Sequence, residues 1–332
     1  MALTRRGLVG GLSLASAGAL LWPLALPAQS RLETTSVRFN AEPSSCVAPQ
    51  YVAEALLREE GFTDVHYTAL DSDALVQQEI AQGKVDFAMD FPLKFVSAID
   101  AGMPLTVLSG VHIGCFELFA HEPIRNIRDL KGKRIGGDAL GASAPTFLVS
   151  LGAAVGFDVV RGVHWVTGGT PPPLELFAKG ELDAFLAHPP EVQQLRARGI
   201  GHVIVSSTND RPWSQYYCCL LGVNNAYLRK HPVATKSVLR ALLRAADMCA
   251  TDPARVAKRV SELRGAENYE MALATLRDIP YGKWRDLSAE DTMRFYALRL
   301  HEAGLIKSTP AKIIARGTDW RFLNEVRQEL KL

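Results

Sequence analysis

The chain has 332 residues, 37 Lys and Arg against 35 Asp and Glu, and 48% hydrophobic residues. That balance lacks the cationic footprint a nucleic-acid binder needs, so no nucleic-acid partner is expected, and it is ordinary for a globular protein. Five cysteines stand at 46, 115, 218, 219 and 249 with no C-x-x-C spacing. An odd, scattered set argues against a disulfide scaffold and a structural zinc site; no metal and no cofactor is expected.

The N-terminus carries Arg5-Arg6 and then an uncharged run to Ala28. A basic start, an apolar core and small residues at Ala25–Ala28 make an export signal over residues 1–28. Arg5-Arg6 after Thr4 resembles the twin-arginine signal, which exports folded proteins; cleavage near Ala28 would leave the protein in the periplasm. Trp22-Pro23 and Pro27 interrupt the segment before it comfortably spans a bilayer. Its removal takes two arginines and no acid, leaving 35 residues of each sign. The remaining roughly three hundred residues exceed one modest core and suggest two lobes or one large α/β unit.

Thr35–Phe39 alternates as a first strand, and a Ser/Pro-rich loop follows. Pro49 opens a helix that Gly61 closes. Strands at Asp64–Tyr67, Val85–Met89 and Leu105–Leu108 then alternate with helices at Asp73–Gln82 and from Pro92 to Gly102. The same rhythm resumes with helix Pro145–Val155, strand Val163–Val166, helix Pro171–Lys179 and strand Leu182–Leu186. Such alternation predicts a mostly parallel sheet with helices on both faces. One echo points to two related lobes: Gly83-Lys-Val-Asp86 before Phe-Ala-Met, and Gly180-Glu-Leu-Asp183 before Ala-Phe-Leu. Beyond strand Cys218–Val223 the chain turns helical: a long helix from Pro232, then Pro253–Leu263, Asn268–Leu276, Ala289–Ala303 and a last one from Asp319. These are expected to pack around the first lobe. Cys218 and Cys219 read as small buried hydrophobes.

The stretch Asn126–Leu148, NIRDLKGKRIGGDALGASAPTFL, reads as turn, strand Lys133–Gly136, small-residue loop and helix. Ser143 suits an N-cap and Pro145 the first helical turn. A helix start of this kind suits an anion. D-L-K-G-K-R-I-G followed by such a loop and helix resembles the extracytoplasmic solute-binding proteins of ABC transporters. The nitrate/sulfonate/taurine type is meant, which includes thiamine-pyrimidine binders, and the resemblance runs from Val37 to near Ala250.

The resemblance implies an α/β, two-lobed periplasmic binding protein of type II, each lobe a mostly parallel sheet flanked by helices, with the ligand cleft between lobes. Lobe one would take residues 29–116, lobe two 117–214, and residues 215–332 would return to lobe one and form the helical tail. Open sheets place ligands at the carboxyl ends of strands. Lobe one then offers Ser44, Ser45, Cys46 and Gln50, Asp90 and Phe91, and His112. Lobe two offers Ala142, Ser143 and Ala144, Thr170, and His188 with Glu191. The second crossing adds Arg211 for a sulfonate or carboxylate and Trp213 for an apolar body. Asp90 complicates a simple anion site and would suit an amine or ring N–H.

The expected function is capture of a small, anionic organic solute, such as a sulfonate, a taurine-like zwitterion or an aromatic carboxylate, for an ABC permease by a monomeric binding protein. A pyrimidine ligand is the alternative, and presentation to a sensor kinase would use the same surface. An enzyme is the minority reading. Cys46 or Cys115 with His112 would be its nucleophile and base, but no G-x-S-x-G, Walker, G-x-G-x-x-G or H-E-x-x-H element occurs. The C-C-C-F-G stretch of thiamine-pyrimidine synthases is replaced here by Cys218-Cys219-Leu-Leu-Gly, so their activity does not carry over.

Overall fold

The computed structural model describes residues 31–42, 44–69, 75–263 and 268–331. The expected export signal lies outside them, as do the first residues of the helix expected from Asp73.

Lobe one begins with β1 (Ser36–Ala41), α1 (Ala48–Glu59), β2 (Asp64–Ala69), α2 (Val76–Ala81), β3 (Phe87–Asp90), α3 (Pro92–Asp100) and β4 (Leu105–His112). Pro49 and Pro92 sit in the first turns of α1 and α3, where a missing N–H costs nothing. Lobe two holds β5 (Glu117–Ala120), β6 (Arg134–Gly137), α4 (Ser143–Ala154), α5 (Val159–Gly162), β7 (His164–Thr167), α6 (Pro173–Ala178), β8 (Ala184–Ala187), α7 (Glu191–Arg198) and β9 (His202–Ser206). The chain then returns through β10 (Cys219–Asn224) and α8 (Asn225–Lys230). The tail follows with α9 (Pro232–Thr251), α10 (Pro253–Ser261), α11 (Tyr269–Asp278), α12 (Ala289–Glu302), α13 (Pro310–Gly317) and α14 (Arg321–Glu329).

Two five-stranded sheets result, ordered β2-β1-β3-β10-β4 and β7-β6-β8-β5-β9. In each, one strand runs against its two neighbours: β10 in the first and β5 in the second. Both are the first strand laid down after a lobe crossing. The sequence pattern contains neither β5 nor β9; residues 117–120, given no element there, are a buried strand. The sheets are otherwise parallel, as the alternation predicts.

The internal echo has a physical basis. Asp86 and Asp183 each close the turn that precedes a buried strand, and each bonds the first parallel strand of its own lobe. Asp86 Oδ2 accepts from the Arg38 N–H at 2.9 Å, and Asp183 Oδ2 from the Arg134 N–H at 2.7 Å. Their own N–H groups donate to the carbonyls of Arg38 and Arg134 at 2.8 and 2.9 Å. Gly83 and Gly180 sit at φ +71° and +75°, a left-handed turn that side chains disfavour. The two lobes thus use one device to set β1 against β3 and β6 against β8.

The tail does more than cover lobe one. On the lobe-one side, α9 buries Val238, Leu239, Leu242, Leu243 and Ala246 and packs on α1. By contrast α12 lies against both α3 and α4, and α11 reaches α7. This corrects the expectation of a tail confined to the first lobe. Between the lobes, Phe91, Phe116, Phe147 and Tyr296 form an edge-to-face cluster with centroids 5.1–5.8 Å apart around Phe91. Trp213 extends it, 5.5 Å from Phe147 and 5.6 Å from Phe295. Such aromatic contacts add to the burial of their area. The second crossing is anchored by Tyr217, whose hydroxyl donates to the Trp284 and Leu287 carbonyls at 2.9 Å each. Its ring lies flat over Gly110 of β4, where a Cβ would stand only 2.3 Å from ring carbons. Among the described residues no helix is long and apolar enough to cross a membrane.

Candidate functional site

A cavity of about 360 Å³ opens between the lobes, within the size range of small-molecule sites. The carboxyl ends of β1, β3, β6 and β8 and both crossings feed it. Lobe one contributes Glu42, Cys46, Val47, Met89, Asp90 and Phe91; the crossings contribute Cys115, Phe116, Cys218 and Cys219. Lobe two contributes Asp138, Ala139, the α4 start at Ala142–Ala144, and His188. The walls are mainly apolar, with acids at the rim.

Seven of the residues named from sequence meet here: Cys46, Asp90, Phe91, Ala142, Ser143, Ala144 and His188. The others stand back from the cavity. Ser44 accepts from the Cys46 N–H at 3.2 Å and caps the short turn Ser45–Val47. The Ser45 carbonyl accepts from the Tyr281 hydroxyl. Gln50 is buried, donating to the Asn40 carbonyl at 2.8 Å. His112 lies behind Cys46, Glu191 behind His188. Thr170 and Arg211 are exposed on the surface, and Trp213 is built into the aromatic cluster. Glu42, Val47, Met89, Phe116, Asp138, Ala139 and the Cys218-Cys219 pair are the lining residues sequence reasoning missed, and Cys115 was named only for the enzyme reading. Asp138 had a signal, since it directly follows β6.

Ser143 is not the N-cap. Ala142 holds that position with no side-chain bond, and the Ser143 hydroxyl turns instead across the cleft to donate to Asp90 Oδ1 at 2.8 Å. Asp90 also accepts from Gln77 Nε2 at 2.9 Å and the Phe91 N–H at 2.6 Å, and pairs with Lys94 at 2.8 Å. Its charge is therefore spent inside the protein, and one of its bonds ties the lobes together. The α4 start is left facing the cavity. First-turn N–H groups have no acceptor within their own helix, and the helix dipole makes this end positive.

His188 supplies the second positive feature. Its Nδ1 donates to the Pro189 carbonyl at 2.9 Å, and its Nε2 faces Asp138 Oδ2 at 3.2 Å and Glu191 Oε2 at 3.9 Å. Burial disfavours the charged ring, yet the Asp138 bond and the two carboxylate charges outweigh it and hold His188 well above its usual range. For Asp138 burial is likewise outweighed, by the His188 bond and charge, and its carboxyl falls below the usual range. Burial lifts the Glu191 carboxyl. A histidine raised by folding stabilises the fold fully below its unfolded value, about 6.5, and that contribution is lost as pH rises through the folded value. Urea unfolding of the ligand-free protein across neutral and mildly alkaline pH is expected to show this decline, and His188→Gln is expected to flatten it.

Folding also gathers four of the five cysteines, which spacing along the chain left apart. Cys46 Sγ lies 3.1 Å from Cys115 Sγ and 3.9 Å from Cys219 Sγ, while Cys218 joins them at the cavity floor. The His112 ring stands 3.7 Å from Cys46 Sγ and 3.8 Å from Cys115 Sγ. Bonds from the Cys115 and Cys219 thiols, against burial, hold the Cys46 thiol well below its usual range; burial drives Cys115 well above it. Cysteine and histidine of this kind could also serve nucleophilic chemistry, but His112 Nε2 already donates to the Cys46 carbonyl at 2.8 Å.

Comparison with known proteins agrees with the resemblance carried by Asn126–Leu148. The family model described as NMT1/THI5 like matches residues 46–256. No curated protein matches the chain. Among solved structures, the periplasmic nitrate-binding protein NrtA from Synechocystis PCC 6803 superposes with TM-score 0.72 at 13% identity, covering 90% of each chain. The alkanesulfonate-binding protein SsuA from Xanthomonas axonopodis pv. citri, bound to MOPS, gives 0.69 at 18% identity over 86% of this chain and 99% of its own. A protein from Bordetella bronchiseptica RB50 gives 0.72 at 18% identity, covering 91% of this chain and all of its own. The shared fold is the two-lobed periplasmic binding fold.

Proposed function

The chain belongs to the NMT1/THI5-like family, and from that premise we propose that it is a monomeric, periplasmic solute-binding component of an ABC importer rather than an enzyme. The observation that carries this reading is the interlobe cavity itself, closed by the Ser143–Asp90 bond and walled by Met89, Phe91 and Phe116. The proposed solute is a small organic molecule with an anionic end, such as a sulfonate, an aromatic carboxylate or a taurine-like zwitterion. Its anion would meet the α4 start beside His188, and its apolar body would lie on Phe91 and Phe116. A donor at its other end would face Glu42, the role sequence reasoning gave to Asp90. Nitrate is disfavoured, because it would leave apolar walls and most of 360 Å³ unfilled. Closure of the lobes as rigid bodies would change the surface offered to the permease.

The test is thermal and urea unfolding against short alkanesulfonates, taurine, aromatic carboxylates, aminopyrimidines and nitrate. A ligand at a hundred times its Kd adds about 2.7 kcal/mol. One of the first three classes is expected to give this stabilisation. Ala139→Trp, which fills the cavity from its exposed rim, is expected to abolish the stabilisation and leave the ligand-free melt unchanged. Stabilisation by aminopyrimidines alone would transfer the assignment to that class. Turnover of any of these compounds, lost in Cys46→Ala, would replace transport by catalysis.

A further inference from the structure

We propose that Cys46, Cys115 and His112 form a binding site for one thiophilic d¹⁰ cation, Zn(II) or Cu(I), at the floor of the cleft. The donors come from two distant stretches of chain: Cys46 from the loop after β1, and His112 with Cys115 from the end of β4 and the crossing that follows it. Their donor atoms all lie within 4.8 Å of one another. Cys219, at the start of β10, brings a further sulfur 3.9 Å from Cys46. Two thiolates and an imidazole are the donor set that selects such ions over hard cations.

Three features distinguish this cluster from cysteines that merely share a core. The first is the histidine. Its Nε2–H donates to the Cys46 carbonyl at 2.8 Å, which leaves Nδ1 as the unprotonated nitrogen, 3.2 Å from the Ile113 carbonyl oxygen and 3.8 Å from Cys115 Sγ, to turn onto an ion. Metal-ligating histidines are oriented in this way, by a bond from the other ring nitrogen to a backbone carbonyl. The second is the backbone at Cys115, at φ +115°, a conformation that costs a non-glycine residue of order 1–3 kcal/mol and persists only where the surroundings impose it. The third is access, because Cys46, Cys115, Cys218 and Cys219 all line the cavity, so an ion has an entry path. With metal–sulfur bonds of about 2.3 Å, tetrahedral geometry places two sulfurs about 3.8 Å apart. Cys46 and Cys115 at 3.1 Å would part by about 0.7 Å. A disulfide would use the pair alone and leave the histidine and Cys219 without a role.

The purified full protein, reduced with a phosphine and stripped with a chelator, is titrated with Co(II) as the spectroscopic stand-in for Zn(II). Cu(I) is titrated separately against bicinchoninate. One equivalent is expected, with thiolate-to-cobalt charge-transfer bands and a tetrahedral d–d spectrum for the Co(II) form. Cys46→Ser and Cys115→Ser are each expected to weaken binding at least a hundredfold, and His112→Gln about tenfold. Cys249→Ser, buried in α9 away from the cluster, is expected to leave binding unchanged. Melting curves confirm that each variant is folded, and Cys46→Ser, at a half-buried position, guards against loss by misfolding. Absence of binding by the reduced protein overturns the proposal, as does unchanged binding by folded Cys46→Ser and Cys115→Ser. A Cys46–Cys115 disulfide that reforms after reduction and blocks the metal would equally overturn it. The solute panel, run on the metal-free protein, reads the cleft separately, so either assignment can fail alone.

Discussion

Replacing Lys94 by Met is expected to lower the unfolding free energy by about 3 kcal/mol, the scale for stranding one charge of a buried pair. Asp90 ends β3 and Lys94 lies in the first turn of α3, 2.8 Å from it, with side chains only 5% (Lys94) and 4% (Asp90) exposed. Neither charge can turn to water. With the ammonium gone, Asp90 would keep its bonds from Gln77, the Phe91 N–H and Ser143, which places the loss at the lower end of the range. Asp90→Asn in the Lys94→Met background removes the stranded charge and is expected to recover more than half of it in urea unfolding. Equal stability of the single and double variants would show that the pair does not act as a unit. Because Asp90 also accepts from Ser143 across the cleft, the same variant is expected to loosen closure and weaken solute binding.

The parts of this fold that were legible in the sequence are those decided by neighbours along the chain. Pro49 and Pro92 mark the starts of α1 and α3 because a proline in the first helical turn has no bond to lose. The Gly-x-aliphatic-Asp echo was visible because the turn, the cap and the buried strand lie within seven residues in each lobe. What escaped depends on pairing between distant segments. Glu117-Leu-Phe-Ala has four residues and a charged end, and only its place between β8 and β9 makes it a strand. The cysteine cluster joins residues 69 and 173 positions apart, so no spacing rule could find it.

The site divides along the same line. Placing ligand contacts at the carboxyl ends of strands located Cys46, Asp90, Phe91, the α4 start and His188 at the cavity. It did not reveal which polar groups are already satisfied. Ser143 was read as the N-cap of an anion-binding helix start, and its hydroxyl is instead committed to Asp90. Asp138 was passed over, although its pairing with His188 makes an acid tolerable beside an anion. Trp213 has the chemistry to stack on a ligand, but the ring is held by Phe147 and Phe295 as part of what joins the lobes.

That junction leads to the second large effect, at Arg196. Arg196 on α7 binds Glu117 on β5 through Nε at 3.0 Å and through Nη2, and reaches Asp278 at the end of α11 at 3.0 Å. It therefore fastens lobe two to the tail. Glu117 is 3% exposed and Arg196 40% exposed, so the guanidinium keeps part of its hydration while the carboxylate sheds nearly all. Burial raises the Glu117 carboxyl and Arg196 offsets that rise. In Arg196→Met the carboxylate keeps the Ser206 hydroxyl at 3.1 Å as its remaining side-chain donor. The expected loss is about 2 kcal/mol at neutral pH, below the figure for a fully buried pair because one partner is partly solvated. The sign with pH is fixed by linkage. An acid raised by folding favours the folded state at low pH and opposes it as pH rises from about 4.5 through the folded value. Arg196→Met raises Glu117 further, so its deficit is expected to shrink as pH falls and to be largest on the alkaline side. Glu117→Gln in the same background is expected to restore stability at neutral pH without restoring the contact to Asp278. If Arg196 also latches the lobes, solute dissociation measured by stopped flow stays fast in that stabilised double variant; a purely structural role predicts that the rate returns to that of the parent.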